Sequence, residues 1–354
     1  MEEKACERRY GDINHHARRK HMPQSILVTG GAGYVGSHAC KSLARAGFTP
    51  VVYDNLSRGF RDAVRYGPFV EGDLHDRERL VGAMRHYDVA AVMHFAAFAY
   101  VGESVSRPEL YYHNNVVGTL SLLAAMRDAA ISRVVFSSTC AVYGVPDQVP
   151  IVETTAKAPL NPYGETKLAI EGALHWFSGA YDMRYVALRY FNAAGGDPDA
   201  EIGERHDPET HLIPLVLRAS LGQAGPVEIY GTDYPTPDGT AIRDYIHVVD
   251  LADAHVRALR YLGEGGTSIA LNLGTGAGSS VRQIIEAVER VGGRPVPFRE
   301  VGRRAGDPPE LVADPSLALR TLGWKANQSD LDTIVRTALA WETRDLRNAP
   351  SHAR

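Results

Sequence analysis

Residues 25–55, SILVTGGAGYVGSHACKSLARAGFTPVVYDN, restrict the fold more than any other part of the chain. A short apolar run leads into a glycine cluster, then a helix-length stretch, then a second apolar run that ends in a carboxylate. Runs this short suit strands, and the whole has the size of a βαβ unit, which commits its two strands to run parallel. Glycines at the first strand-to-helix turn let the backbone bend tightly and let an anion approach the amides that open the helix. Gly31, Gly33 and Gly36 form a GxGxxG series, and Gly30, Gly33 and Gly36 a GxxGxxG series. Either cradles a pyrophosphate by the same physics.

Further apolar runs follow: FVEGDL, DVAAVMHFAA, RVVFSST and RYVALRYFN, separated by helical or loop segments. Continuous Val, Ile and Phe runs fit strands covered on both faces. The expected class is therefore α/β, a Rossmann-type doubly wound parallel sheet with a smaller C-terminal α/β substrate-binding lobe. We expect residues 1–21 to be a disordered extension, 22–192 the dinucleotide-binding core, 193–343 mainly the lobe with returns to the core, and 344–354 a flexible tail. Beyond Asn192, long Gly-, Pro- and Asp-rich segments carry little periodicity, and loops of this length inside a compact enzyme are usually functional.

Asp54 closes the second strand, where a carboxylate would take the ribose hydroxyls of NAD and disfavour a 2'-phosphate, while Arg58 close by leaves NADP as the alternative. Asp73, at the end of FVEGD, is placed either toward an adenine or as a helix N-cap. A formal charge of −4 with 23% charged residues offers nothing to nucleic acid. No apolar stretch approaches bilayer length, so no membrane partner is expected. Cys6, Cys40 and Cys140 lack disulfide or metal spacing. A reducing cytoplasm and no metal site are the expectation, with His15, His16 and His21 read as part of a polar leader.

In NPYGETK, Tyr163 stands four residues ahead of Lys167, one turn apart on a helix that prolines would open. Beside a dinucleotide site, an ammonium and a nicotinamide cation would pull the phenol pKa toward neutrality, so that tyrosine could serve as a base. Ser137, Ser138 and Thr139 end the fifth strand and place hydroxyls at the sheet edge where α/β proteins bind ligands.

TGGAGYVGSH, SSTCAVYG and NPYGETK together resemble the extended short-chain dehydrogenase/reductase family, from about Met22 to Trp341. HFAAFAYVGESVSRP, LRYFNAAG, GTDYPTPDGTAIRDYIHV and RRAGDPPELVAD resemble its UDP-hexose 4-epimerase branch. The resemblance implies Tyr163 as base and acid, Lys167 as its modulator and ribose anchor, and Thr139 as the hydroxyl partner of the sugar. Ser138 is the alternative one register away. Gly30, Gly33, Tyr34, Val35, Gly36, Asp54, Asn55, Asp73, Leu74, Phe95, Ala96 and Asn114 are then expected around the cofactor, NAD. Asn192, His211, Leu212, Arg243, Arg304, Asp307 and Leu311 are expected around a UDP-sugar.

The implied reaction oxidises C4 to a transient 4-keto sugar and reduces it again on the other face. A homodimer formed from two long helices of each chain is also implied. Two positions depart from the family pattern. Ala99 stands where some relatives carry a lysine, and Leu311 where some carry a tyrosine beside the sugar 2-substituent. Leucine leaves room for N-acetylated sugars. Sugar-nucleotide dehydratases need an acid beside the catalytic hydroxyl, and Cys140 and Ala141 supply none. UDP-xylose and UDP-arabinose 4-epimerases, and a binding module that has lost catalysis, are the other readings.

Overall fold

The structure, a computed structural model, describes residues 24–304 and 306–344; the expected extension, Cys6 and the tail from residue 345 lie outside these. Seven parallel strands form the central sheet: β1 (Ser25–Thr29), β2 (Thr49–Asp54), β3 (Phe69–Glu71), β4 (Val89–His94), β5 (Arg133–Thr139), β6 (Arg184–Tyr190) and β7 (Ile269–Leu273). Their order is β7-β6-β5-β4-β1-β2-β3. The chain winds outward in both directions from β1, so connections diverge between β1 and β4 and leave a crevice at the carboxyl edge. β7 arrives from far down the chain and completes the sheet beside β6.

Side chains alternate across the strands and build two buried layers. Ile26 and Val28 face the layer filled by α1 (Tyr34–Arg45), whereas Leu27 faces the one filled by α2 (Arg77–His86), α3 (Gly118–Asp128) and α4 (Pro162–Tyr181). The lobe adds α5 (Leu212–Ser220), α6 (Val248–Gly263), α7 (Val281–Gly292) and α8 (Leu331–Glu342). α6 returns to the sheet and shares the α1 layer through Leu251, Ala254 and Leu259. α5, α7 and α8 close a separate core with Val227 and Ile229. Among the described residues, no helix is long and apolar enough to cross a membrane.

α4 starts where Asn161 accepts a hydrogen bond from the Gly164 amide at 2.9 Å and Pro162 occupies the first turn, two ordinary helix-start devices. It ends at Asp182 in the left-handed region, φ 52°. Tyr163, Lys167, Glu171 and Leu174 fall on one stripe of this helix. Glu171 pairs with Arg189 of β6 through contacts of 2.9 and 2.5 Å, both residues being buried. Ser138 donates to the same carboxylate at 2.6 Å, and Arg189 donates to the Tyr143 hydroxyl at 2.8 Å. Tyr143 in turn donates to Asn272 of β7 at 2.7 Å. This polar chain spans α4, β5, β6 and β7 with its members satisfied by one another.

Removing one partner of such a pair strands a buried charge, which typically costs about 3–5 kcal/mol. Glu171→Gln should therefore lower the urea midpoint strongly, while Glu171→Leu combined with Arg189→Met should recover much of the loss. Equal destabilisation in the single and double variants would show that the pair is not the source.

Candidate active site

A cavity of about 1100 Å³ opens at the carboxyl edge of the sheet and is lined from both halves of the molecule. Its floor is the glycine turn. Gly30 has φ +71°, and a Cβ there would lie 2.5 Å from the Ala96 nitrogen; a Cβ on Gly36 would lie 2.2 Å from the Gly30 oxygen. Only glycine permits this closeness of α1, β1 and the chain after β4. Gly33 caps α1 without a side-chain hydrogen bond, so the first-turn amides remain open donors beside the cavity. Gly33, Tyr34 and Val35 line it, whereas Gly36 sits behind them.

Asp54 faces the cavity at the end of β2 and also braces the turn, accepting from the Ala32 amide at 3.0 Å and the Leu56 amide at 2.8 Å. Burial raises its pKa, and those two amides oppose the rise. Arg58 is held by both oxygens of Glu103, at 2.8 and 3.0 Å, and lies over the rings of Phe98 and Tyr100. Asp73 lines the cavity and accepts from Asn55 Nδ2 at 2.7 Å and from the His75 amide at 2.9 Å. The helix cap that Asp73 could have been is Asp76, whose side chain accepts from Arg79. Asn55, Leu74, Ala96, Ala99 and Asn114 line the same walls. Phe95 instead packs into the α1 layer against His255.

Strand alternation settles which hydroxyl of SST enters the cavity. Ser137 and Thr139 line it, while Ser138 points to Glu171 on the other face. Tyr163 lines the cavity from the first turn of α4. Lys167, one turn on, is buried with its Nζ donating to the Ser137 carbonyl at 2.8 Å and lying 5.9 Å from the centre of the Tyr163 ring. Burial, helped by Tyr190, pushes the Tyr163 phenol well above its ordinary value, and Thr139 acts against that. Burial also pushes the Lys167 ammonium down to about 7, against the attraction of Glu171. The expected near-neutral phenol is therefore not produced by the protein's own groups.

On the opposite wall, Asn192, His211, Arg243, Arg304, Asp307 and Leu311 line the cavity. Arg243 donates to Asp307 at 2.5 Å, so these two neutralise one another. Arg304 is exposed at the rim with its guanidinium 4.4 Å from the centre of the Tyr230 ring. His211 Nδ1 is turned onto Glu209 at 2.9 Å. Leu212 packs into the lobe core and does not line the cavity.

Asn115 escaped the sequence reading. It is buried, its Oδ1 accepts from the Phe98 amide at 2.8 Å, and its Nδ2 donates to the Phe98 carbonyl at 3.0 Å and Thr166 at 3.1 Å. It thereby clamps the 98–103 wall to α4. Its neighbourhood is a π-helical turn, Tyr112–Val117, a local irregularity often found near functional sites, and one that composition does not announce.

A parallel sheet with a glycine turn at its switch point, and a tyrosine and lysine over the same cavity, defines a dinucleotide-dependent α/β enzyme. The chain belongs to the NAD dependent epimerase/dehydratase family, whose model matches residues 26–274. It is 52% identical over 321 residues to a UDP-glucose 4-epimerase of Rhizobium leguminosarum bv. trifolii, covering 91% of this chain and 98% of that one. The crystal structure of UDP-glucose 4-epimerase from Brucella ovis in complex with NAD superposes with a TM-score of 0.88 at 57% identity, covering 90% of this chain and 98% of the other. A UDP-glucose-4-epimerase from Stenotrophomonas maltophila, with bound NAD and formylated UDP-arabinopyranose, gives 0.89 at 43% identity, over 93% and 100% of the two chains.

The lysine provides a check on the site's electrostatics. Its folded pKa of about 7 lies below the ordinary 10.5, so between those values the unfolded chain carries more protons and stability rises with pH. Lys167→Met should abolish that rise. Urea midpoints at pH 7 and pH 9 should show the wild type gaining on the variant, by up to about 1.4 kcal/mol for each pH step. A difference independent of pH would exclude a depressed lysine.

Proposed function

We propose that this chain inverts C4 of UDP-hexoses, interconverting UDP-glucose and UDP-galactose while NAD stays bound. The observation that carries the reading is the convergence of Tyr163, Thr139 and the glycine turn on one cavity. The residues present fit the cofactor: an open helix start, a turn that no side chain larger than glycine allows, and a buried carboxylate at the end of β2. Gly33, Tyr34 and Val35 hold the pyrophosphate, Asp54 the ribose hydroxyls, and Asp73, Asn55, Leu74, Ala96 and Asn114 surround the rest. NAD, when bound, supplies the redox chemistry at C4, taking up two electrons and giving them back.

Tyr163 removes the proton of the sugar 4-hydroxyl and returns it after the sugar has presented its other face. A buried phenol ionises only against added positive charge, and Lys167 is the protein's own source of it. The Ser137 carbonyl orients that ammonium, and Thr139 orients the sugar hydroxyl. Arg243 and Arg304 are the cations available to a diphosphate, with Arg243 leaving Asp307 free for a ribose hydroxyl when it turns to phosphate. Asn192 lies toward the diphosphate and sugar, and His211 toward the uracil and its ribose.

Leu311 walls the cavity without a polar atom, which supports tolerance of an N-acetyl group at C2. Cys40 and Cys140 are free thiols, in keeping with the reducing cytoplasm we assign to it. We also infer a homodimer, because Leu120 of α3 and Trp176 and Tyr181 of α4 are large apolar side chains left exposed. Sedimentation as a monomer at micromolar concentration would remove that part of the reading.

Incubating the purified protein with UDP-galactose and no added NAD should yield UDP-glucose by chromatography. Tyr163→Phe should reduce the rate by at least about a hundredfold while the bound NAD stays in place. Full activity in that variant would end the mechanism. Turnover of UDP-xylose without turnover of either hexose would shift the substrate to a pentose, a class the Stenotrophomonas relative holds in its formylated form. UDP-N-acetylglucosamine should be a substrate in the same assay, and Leu311→Tyr should suppress it selectively.

A further inference from the structure

The segment ERHDPETH, residues 204–211, brings together four side chains, of which only His211 has a part in the proposed function. One ligand atom from each of Glu204, His206, Glu209 and His211 lies within 4.8 Å of the others. His206 Nδ1 stands 3.5 Å from Glu204 Oε1 and 3.5 Å from Glu209 Oε2. His211 Nδ1 stands 3.2 Å from the same Glu204 oxygen. Four ligands at bonds of about 2.0–2.1 Å from a tetrahedral ion are separated from one another by about 3.3–3.4 Å. The three spacings given lie close to that value, while His211 Nδ1 comes nearer still to Glu209, at 2.9 Å from Oε1, a contact that an ion would have to replace.

Three of these atoms, Glu204 Oε1, His206 Nδ1 and Glu209 Oε2, are buried and have no hydrogen-bond partner. The Glu204 and Glu209 side chains are only 5% and 2% exposed. Buried polar atoms are normally satisfied, so three unpartnered ones within a single cluster call for a ligand. Arg218, which contacts Glu342 at 3.3 Å, comes no nearer to Glu209 than 3.9 Å. The other acidic cluster shows the contrast. There Asp197, Asp199 and Glu201 all bind Lys41 Nζ, at 2.7, 3.0 and 2.7 Å, so an ammonium already fills the centre.

We infer that Glu204, His206, Glu209 and His211 form a closed site for one divalent cation of the zinc type. Two carboxylates match its charge, and two imidazoles with two carboxylates suit zinc better than magnesium or calcium. With four protein ligands the site is structural rather than catalytic. Its position explains what it would hold. The Glu204 carbonyl accepts from Trp341 Nε1 at 2.7 Å, and the His206 ring meets Tyr34 and Tyr100 edge-on. The ion thus fastens one wall of the cavity to α8 and to the start of α1. This departs from the expectation of no metal, which rested on cysteine spacing and on the histidines of the leader.

The test uses the full chain after dialysis against EDTA, with cobalt(II) chloride as the probe. One cobalt per chain should bind and give the intense visible bands of a tetrahedral complex, and zinc chloride should displace it and raise the melting temperature. His206→Ala with Glu209→Gln should weaken cobalt binding by at least about tenfold and remove the visible bands. Binding that is unchanged in the double variant would place the ion elsewhere and overturn the inference. If that variant does not fold, the wild type decides alone: no cobalt bound, or only the weak bands of an octahedral ion, would equally overturn it.

Discussion

The pairing of Glu171 with Arg189 inside the molecule is the interaction on which the active geometry rests. It fixes the rotation of α4 against β5 and β6, and Tyr163 and Lys167 lie two turns and one turn before Glu171 on the same stripe. A helix held only by apolar packing could rotate or slide by a fraction of a residue at little cost. A bidentate guanidinium contact cannot, because its geometry is directional and both charges are out of water. Ser138 adds the strand to the lock. The residue that resembled an alternative catalytic hydroxyl is thus part of the frame that positions the helix.

The same carboxylate also reaches the chemistry through its field. Lys167 is buried deeply enough to lose its proton near neutrality, and the nearby charge of Glu171 opposes that loss. Tyr163 feels the opposite pressure, since burial keeps its proton on. Two titratable groups one helical turn apart are therefore driven toward the neutral state together by exclusion of water. Any positive charge brought into the cavity favours the phenolate and so acts on the group that must exchange a proton. Binding and activation are linked by electrostatics without a moving part.

Much of this was legible because it is local in sequence. The glycine turn, the carboxylate at the end of β2, the strand runs and the tyrosine–lysine step each occupy a few consecutive residues with a physical reason for their spacing. What was not legible depends on residues far apart meeting. Asn115 clamps Phe98 and Thr166; Arg243 is neutralised by Asp307, 64 residues on; and β7 joins β6 only after the lobe has been built. Phe95 and Leu212 stand next to cavity residues in sequence yet turn into the core, a one-residue difference of direction that motif matching does not resolve. The choice among Ser137, Ser138 and Thr139 was open in the same way until the strand register fixed which faces they occupy. The cluster at 204–211 is local too, but only His211 was expected in a site, and the burial of Glu204 and Glu209 beside it is not written in their spacing.

Arg58 shows how a cofactor can be discriminated by occupancy. Lying near the carboxylate of β2, it is the cation that a 2'-phosphate would have to recruit. Glu103 already grips its guanidinium with two oxygens, and two aromatic rings hold its plane. A phosphate arriving from solution would have to displace an anion carried by the same chain, present at the high effective concentration that tethering confers. It would also have to lie beside Asp54. The preference for the unphosphorylated dinucleotide is in that sense a competition the protein has settled internally before any ligand arrives.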